Sequence, residues 1–209
     1  MATPLSKPQK GESDARRTVK ASPAVLSLLN QITYVRILLI PIVMGLILLG
    51  DNVRYAYGTA VTLFIAASVT DWLDGWLARR WSETTTLGSF LDTTADKLLV
   101  SGVLIALVAV DRASPWIALL IIGRELIVLG LRGAVAADGG HVKPSIWGKL
   151  KANVQFVAIG LAIVRWPITI GPLYLDEWIM LAAAAITVMS AVEYFTRFYG
   201  ALTSPDPRR

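Results

Sequence analysis

The 209-residue sequence contains no cysteine and a single histidine. The absence of cysteine excludes disulfides, thiolate nucleophiles and cysteine-ligated zinc sites. Charged residues are also scarce: they make up 17% of the chain, whereas apolar residues make up 55%. An average soluble domain has about 25% charged and about 45–50% apolar residues. This composition excludes a disordered chain and favours a membrane protein over a soluble globule.

The net charge of +5 is typical of nucleic-acid binders and of membrane proteins with basic cytoplasmic loops. The positions of the charges separate these two classes. Most of the 20 lysine and arginine residues lie in the N-terminal tail, in alternate loops and near the C-terminus. Only Arg54, Arg112 and Arg165 lie in the other loops. This asymmetry predicts an even number of membrane spans with both termini cytoplasmic, and no nucleic-acid partner.

Six apolar segments each have nearly the length of about 20 residues that crosses a bilayer. Their predicted bounds are 32–50, 56–79, 88–110, 115–136, 147–165 and 176–199. We predict a disordered basic tail at 1–21, a short juxtamembrane surface helix at 22–31 and a C-terminal tail at 200–209. The predicted fold is an all-α integral membrane protein, in which residues 32–199 form one domain of six transmembrane helices.

Four aspartates interrupt the second and third apolar segments. Asp71 and Asp74 lie in the second segment, and Asp92 and Asp96 lie in the third. A carboxylate inside a membrane span is costly unless it is paired or hydrated, so it marks a functional site. The spacings of three and four residues place each pair on one helix face. Because a short loop joins the two segments, the two acidic faces are predicted to oppose each other near the cytoplasm.

Clustered carboxylates repel one another and require compensating positive charge. Arg79 and Lys97 supply two charges at most, so divalent ions are predicted. A ligand set of carboxylate oxygens suits Mg²⁺, Mn²⁺ or Ca²⁺, and a pair of such ions serves phosphoryl transfer. Gly75, Ala78 and Gly88 keep the same faces free of bulky side chains. Buried ion pairs with Arg79 and Lys97, and a cation or proton pathway, remain open as alternatives.

Residues 71–96 resemble the signature of the CDP-alcohol phosphotransferase family, DxxDGxxAR followed by GxxxDxxxD, and match every fixed position. The resemblance implies a six-helix membrane enzyme, commonly a homodimer, and favours a bacterial inner membrane with the active site facing the cytoplasm. It implies a reaction in which an alcohol attacks the β-phosphorus of a CDP-linked substrate and CMP leaves. Asp71, Asp74, Asp92 and Asp96 are thereby implied to hold two Mg²⁺ or Mn²⁺ ions, and Asp96 is the implied general base.

The same resemblance implies which residues surround the CDP moiety. They come from the signature and from a stretch near the N-terminus: Asn30, Thr33, Asp74, Gly75, Ala78, Arg79 and Gly88.

Three further stretches resemble the branch of the family that joins CDP-diacylglycerol to sn-glycerol 3-phosphate. They are Asn30-x-x-Thr33-x-x-Arg36 with Pro41, Arg124-Glu125 followed by Arg132, and Gly148-Lys149-x-Lys151 with Gln155. The chain departs from the usual pattern of that branch at Gly133 and Ala152.

The positions of the basic residues also favour an acceptor that carries a phosphate. Arg124 is a cation inside an apolar segment and therefore needs an anionic partner. Arg124, Arg132, Lys149 and Lys151 are predicted to bind the phosphate of the acceptor. Inositol phosphate, serine or a phospholipid as acceptor remains open, and so does a cation or proton-coupled transporter.

Overall fold

The computed structural model describes residues 23–81, 86–137 and 146–203. The side chains of 23–30, 71–81, 86–89, 137, 146, 147, 149 and 197–203 lie outside this description, as do the predicted tail at 1–21 and residues 204–209. The elements are α1 (Pro23–Leu48), α2 (Ala56–Trp81), α3 (Thr86–Ala109), α4 (Pro115–Ala137), α5 (Ile146–Val164), β1 (Thr169–Ile170), β2 (Leu173–Tyr174) and α6 (Leu175–Thr203).

The first helix is longer than the sequence predicts. A short surface helix at 22–31 is predicted to precede the first span, but one continuous helix runs from Pro23 to Leu48. Pro23 occupies the first helical position, where the missing N–H of proline costs little. No glycine or proline follows until Pro41, so nothing in the chain ends the helix near residue 31. The predicted surface helix is not separate from the first helix, because residues 23–31 form the first turns of α1; the position of these turns at the membrane surface stays a prediction.

Among the described residues, two helices are long and apolar enough to cross a membrane. They are α1 over Gln31–Leu48 and α6 over Leu175–Thr196, and only 28% of each window is buried inside the structure. A core helix of a soluble protein would be mostly buried instead. Shorter apolar stretches occur in α2 at Ala56–Thr70 and in α5 at Leu150–Val164. The larger prediction of six spans remains a prediction.

Helix α3 lies at the centre of the bundle. It packs on α1, α4 and α5, while α6 packs on α4 and α5. The buried apolar core joins these helices through Val43, Phe64, Leu99, Val103, Leu107, Ile121, Ile159 and Ile163. Helices α2 and α3 follow each other in the chain but make few direct contacts within the described residues, where α2 packs mainly on α1 and α5. This arrangement leaves a space between α2 and α3.

Gly102 allows the close approach of α3 to α1. A Cβ atom at this position would lie 2.9 Å from Sδ of Met44 and 3.0 Å from Cγ2 of Ile40. We expect Gly102→Ile to lower the free energy of unfolding by about 1–3 kcal/mol, because an overpacked interface must move apart. Thermal unfolding of the purified protein in detergent measures the change. Gly45→Ala on α1 is the control, since nothing lies within 4 Å of its Cβ position. Equal melting temperatures for both variants would contradict this packing.

Two arginines join the ends of α3 and α5. Arg112 donates from Nη1 to the carbonyl of Ile163 at 2.6 Å, and Arg165 donates from Nη1 to the carbonyl of Asp111 at 2.9 Å. Each arginine therefore caps the carboxyl end of the other helix, where the helix dipole favours positive charge. These contacts close the end of the bundle that lies away from the acidic residues of α3.

A short hairpin occupies a segment that the sequence marks only as a break. Thr169 pairs with Tyr174, and Ile170 pairs with Leu173. Gly171 has a φ of 64°, which a tight two-residue hairpin turn requires at this point. Helix α6 begins directly after the hairpin.

Candidate active site

Two carboxylates lie one turn apart on α3 and face the same cavity. Asp92 and Asp96 line a space of about 790 Å³ between α2, α3 and α5. Asp92 accepts a hydrogen bond at Oδ1 from Nη1 of Arg36 on α1, at 3.0 Å. The Arg36 side chain is 2% exposed, whereas that of Asp92 is 40% exposed. A buried cation thus fixes Asp92, while the carboxylate remains accessible from the cavity.

This larger cavity is polar at one end and apolar along the rest. Ser68 and Asn153 lie with the two aspartates in its lining. The remaining lining residues are Val61, Phe64, Ile65, Val69, Ala152, Phe156, Val157, Gly160, Leu161 and Val164. Because the apolar residues follow α5 over three turns beyond the carboxylates, the cavity suits a ligand with a charged head and an apolar tail.

A second, smaller cavity carries mostly positive charge. It has a volume of about 220 Å³ and lies among α3, α4, α5 and α6. Its ionisable lining residues are Lys97, Arg124, Arg132, Lys151, Tyr194 and Glu125. Four cations thus face one carboxylate, and this excess of positive charge favours an anionic ligand.

Glu125 of α4 is the centre of the ion pairs in the smaller cavity. Its Oε2 atom lies 3.1 Å from Nζ of Lys97, and its Oε1 atom lies 3.3 Å from Nη1 of Arg124. Oε1 also contacts Nζ of Lys151. The Glu125 side chain is 6% exposed, so this carboxylate holds cations from three helices together away from water.

Lys97 connects the two cavities. Its Nζ atom lies 3.1 Å from Oδ2 of Asp96 and 3.1 Å from Oε2 of Glu125. Ala152 on α5 lines both cavities. A group bound in the smaller cavity therefore lies close to Asp96, which faces the larger one.

Helix α6 supplies polar groups that we did not predict from the sequence. Ser190 accepts a hydrogen bond from Nη2 of Arg124 at 2.6 Å, and the Tyr194 hydroxyl accepts one from Nη2 of Arg132. Thr187 accepts a hydrogen bond from Nε2 of Gln155 at 2.9 Å. These three α6 residues are buried and recur at helical spacing, which is the signal that could have revealed them.

The structure brings several of the predicted site residues together. Asp92 and Asp96 face one cavity, and Arg124, Arg132 and Lys151 face the other. Thr33 is buried on the same face of α1 as Arg36. The other predicted residues lie on helices, but their side chains are outside the described set: Asn30, Asp71, Asp74, Gly75, Ala78, Arg79, Gly88 and Lys149.

The predicted metal site is described only in part. Among the side chains that the structure describes, no group of three or more metal-ligating residues occurs. Two of the four predicted ligands, Asp71 and Asp74, belong to the portion of α2 without described side chains. Asp92 and Asp96 present carboxylate oxygens on one helix face, and such oxygens fit Mg²⁺ or Mn²⁺.

Comparison with known proteins identifies the family of this chain. The model of the CDP-alcohol phosphatidyltransferase family matches residues 26–189. The matched range contains the lining of the larger cavity and most of the lining of the smaller one. The chain belongs to the CDP-alcohol phosphatidyltransferase family. This match confirms the resemblance at the level of the family. Members of the family are membrane enzymes that generally use divalent metal ions.

Several bacterial members of the family are similar over most of their length. The CDP-diacylglycerol–glycerol-3-phosphate 3-phosphatidyltransferase of Bacillus subtilis (strain 168) is 39% identical over 193 residues, covering 87% of this chain and 100% of the relative. A probable phosphatidylglycerophosphate synthase of Mycobacterium tuberculosis (strain H37Rv) is 38% identical, covering 83% and 82%. The CDP-diacylglycerol–glycerol-3-phosphate 3-phosphatidyltransferase of Pseudomonas fluorescens is 37% identical, covering 79% and 86%.

Proposed function

We propose that this enzyme transfers the phosphatidyl group from CDP-diacylglycerol to sn-glycerol 3-phosphate, giving phosphatidylglycerophosphate and CMP. The observation that carries the proposal is the pair of adjoining cavities. One is long and apolar and ends at two carboxylates, and the other is small and cationic. The names of the relatives from Bacillus subtilis and Pseudomonas fluorescens describe the same reaction.

The larger cavity suits the donor lipid. Its apolar lining along α2 and α5 would hold acyl carbon atoms, which gain free energy when they leave water. Its polar end at Asp92 and Asp96 would receive the pyrophosphate through metal ions. Asp71 and Gly75 are proposed to border the same cavity, because they follow Phe64 and Ser68 of its lining by two helical turns. Asp74, Ala78, Arg79 and Gly88 complete the proposed CDP site, together with Asn30 and Thr33.

The smaller cavity suits the phosphate of the acceptor. Arg124, Arg132 and Lys151 place guanidinium and ammonium groups in its lining. Because Glu125 neutralises part of this charge, the surplus matches a phosphate dianion rather than a neutral alcohol. Serine carries no phosphate and gains nothing from this charge. Lys149 completes the proposed set of phosphate ligands.

The reaction requires one proton transfer and one exchange of bonds at phosphorus. The acceptor hydroxyl oxygen forms a bond to the β-phosphorus of CDP-diacylglycerol, and the bond between that phosphorus and the bridging oxygen of CMP breaks. Asp96 takes the proton of the attacking hydroxyl as general base. Lys97 holds Asp96 beside the acceptor cavity through its contacts with Asp96 and Glu125.

The proposal includes two divalent ions held by Asp71, Asp74, Asp92 and Asp96. When bound, Mg²⁺ or Mn²⁺ supplies positive charge that stabilises the pyrophosphate oxygens of the donor and the CMP leaving group. The structural support is the shared orientation of Asp92 and Asp96 toward one cavity.

The proposed setting is a bacterial inner membrane. All six helices would span the bilayer, with both termini and the two cavities at the cytoplasmic side, so that a soluble acceptor reaches Asp96 while the acyl chains stay in lipid. The basic residues of the termini and of alternate loops support this orientation. A homodimer, which the family resemblance implies, belongs to the same proposal.

Release of CMP from purified protein and CDP-diacylglycerol tests the proposed reaction. We expect release to require both sn-glycerol 3-phosphate and a divalent ion, and to stop when EDTA is added. Parallel reactions with inositol phosphate, serine or a phospholipid test the other acceptors. Faster release with one of these compounds would reassign the acceptor, and full turnover in EDTA would contradict the two-metal mechanism.

A further inference from the structure

The guanidinium groups of Arg124 and Arg132 in the smaller cavity, the proposed acceptor cavity, both lie close to the ring of Tyr194. Cζ of Arg124 lies 5.2 Å from the ring centroid of Tyr194, and Cζ of Arg132 lies 5.1 Å from it. Two like charges this close to a single ring repel each other. Attraction to the face of the ring offsets part of that repulsion, because the face of an aromatic ring is electron-rich.

Neutral oxygen atoms of α6 fix both guanidinium groups. Ser190 accepts from Arg124 at 2.6 Å, and the Tyr194 hydroxyl accepts from Arg132. None of the described carboxylates pairs with Arg132, and Glu125 contacts Arg124 at 3.3 Å. A carboxylate in place of these hydroxyls would hold the arginines equally well but would cancel their charge. The serine and the tyrosine therefore fix the geometry and leave the positive charge for a ligand.

The tyrosine is itself held by packing on α4. Tyr194 is 1% exposed and contacts Val128, Leu131 and Val135. The valine and leucine residues of this cluster belong to α4, the helix that carries Arg124 and Arg132. Because the ring cannot turn without disturbing this contact, its hydroxyl is a fixed point against which Arg132 is placed.

We propose that Ser190 and Tyr194 are positioning residues for the acceptor phosphate: they hold Arg124 and Arg132 side by side through neutral contacts and so prepare the cavity for a dianion. This inference rests on the proposed function, which assigns the acceptor phosphate to this cavity. Neither α6 residue needs to touch the donor lipid, because the lining of the larger cavity contains no described residue of α6.

The steady-state constants of Tyr194→Phe test the positioning role. The variant keeps the ring and its packing but removes the hydroxyl. We expect the KM for sn-glycerol 3-phosphate to rise about tenfold, the size of one charge-assisted hydrogen bond, with kcat within about twofold and the KM for CDP-diacylglycerol unchanged. Ser190→Ala should give a rise in the same constant. Tyr57→Phe is the matched control, since its hydroxyl bonds to Asp51 at the other end of the bundle.

A purely structural role predicts a different result. A loosened α4–α6 contact would lower kcat and raise both KM values together, and that outcome would overturn the proposal. A second test combines Tyr194→Phe with Arg132→Met. Without the guanidinium group, loss of the hydroxyl should add little to the KM for the acceptor. An undiminished effect in this background would also overturn the proposal.

Binding of inorganic phosphate separates this inference from the proposed function. Calorimetric titration of the purified protein requires no turnover and no assumption about the alcohol. We expect Tyr194→Phe to weaken phosphate binding about tenfold, and equal affinities would overturn the positioning role. A wild-type protein that binds phosphate in this way but does not use sn-glycerol 3-phosphate would refute the proposed acceptor alone.

Discussion

Replacement of Asp92 by asparagine is expected to lower the rate of phosphatidyl transfer by on the order of a hundred- to a thousandfold, the loss that follows removal of one transition-state stabiliser. The amide has nearly the shape of the carboxylate, and its oxygen can still accept the hydrogen bond from Arg36. It carries no charge, however, and is a weaker ligand for a divalent ion. Release of CMP per unit of folded protein measures the effect.

The ion pair with Arg36 provides a sharp control for this prediction. Arg36 is 2% exposed and donates to Asp92 at 3.0 Å, so the aspartate could serve only to balance a buried cation. In that case Arg36→Gln combined with Asp92→Asn should regain activity, because both charges are gone. We expect no recovery, because the proposed metal site needs the charge of this carboxylate as well. Asp51→Asn is a matched control, since Asp51 pairs with Arg112 at the opposite end of the bundle.

The number and approximate bounds of the described helices can largely be predicted from hydropathy. The six apolar segments correspond closely to six helices within the described ranges, and the second segment at 56–79 becomes α2 at Ala56–Trp81. Apolar length predicts such helices because every backbone polar group must be satisfied within the helix in lipid. Helix α1 begins before the first predicted span, because residues 22–31 are less apolar than the span but contain nothing that stops a helix. The hydropathy of a segment predicts its burial in lipid, but it does not predict the residues at which a helix begins and ends.

The site could be predicted where polar residues interrupt apolar helices. The sequence predicts Asp92, Asp96 and Arg124 as site residues, because a charged side chain in an apolar segment costs free energy unless it has a partner. The partners themselves were not predictable. Arg36 lies 56 positions from Asp92, and Ser190 lies 66 positions from Arg124. Pairing at such separations depends on which helices pack together, and the order of the segments in the chain does not determine that packing.

The predicted opposition of the two acidic helix faces stays a prediction, because the side chains of Asp71 and Asp74 lie outside the described set. Segments joined by a short loop are expected to pack as neighbours, and within the described residues α2 and α3 make few direct contacts and border one cavity. The small residues Gly75, Ala78 and Gly88 indicate in the sequence that the acidic faces of α2 and α3 are free of bulky side chains. The sequence does not reveal that α2 packs mainly on α1 and α5 within the described residues.

Replacement of Glu125 by glutamine is expected to lower the free energy of unfolding by about 3–5 kcal/mol, the cost of leaving buried charges unpaired. The carboxylate is 6% exposed and contacts Lys97, Arg124 and Lys151. Glutamine would keep the shape, but it would face three cations with a neutral group that also presents donor N–H atoms. Thermal unfolding of the purified protein in detergent measures this loss.

A second substitution distinguishes charge balance from packing. Lys151→Met removes one of the cations that Glu125 neutralises, and its side chain keeps most of the apolar length. If charge balance dominates, Glu125→Gln with Lys151→Met should be more stable than Glu125→Gln alone, whereas a packing defect should give additive losses. Glu177→Gln is the matched control, because Glu177 is 33% exposed and pairs with Arg165 at 3.4 Å. This partly exposed pair should cost about 1 kcal/mol at most.

The same pair of variants also tests why the smaller cavity contains a carboxylate. Without Glu125, the cations of α3, α4 and α5 would repel one another whenever the cavity holds no anion. Saturating inorganic phosphate should therefore stabilise Glu125→Gln more than it stabilises the wild-type protein, because the bound anion replaces the missing charge. Equal stabilisation of both proteins would show that phosphate binds away from these cations, and the assignment of the cavity to the acceptor would then be wrong.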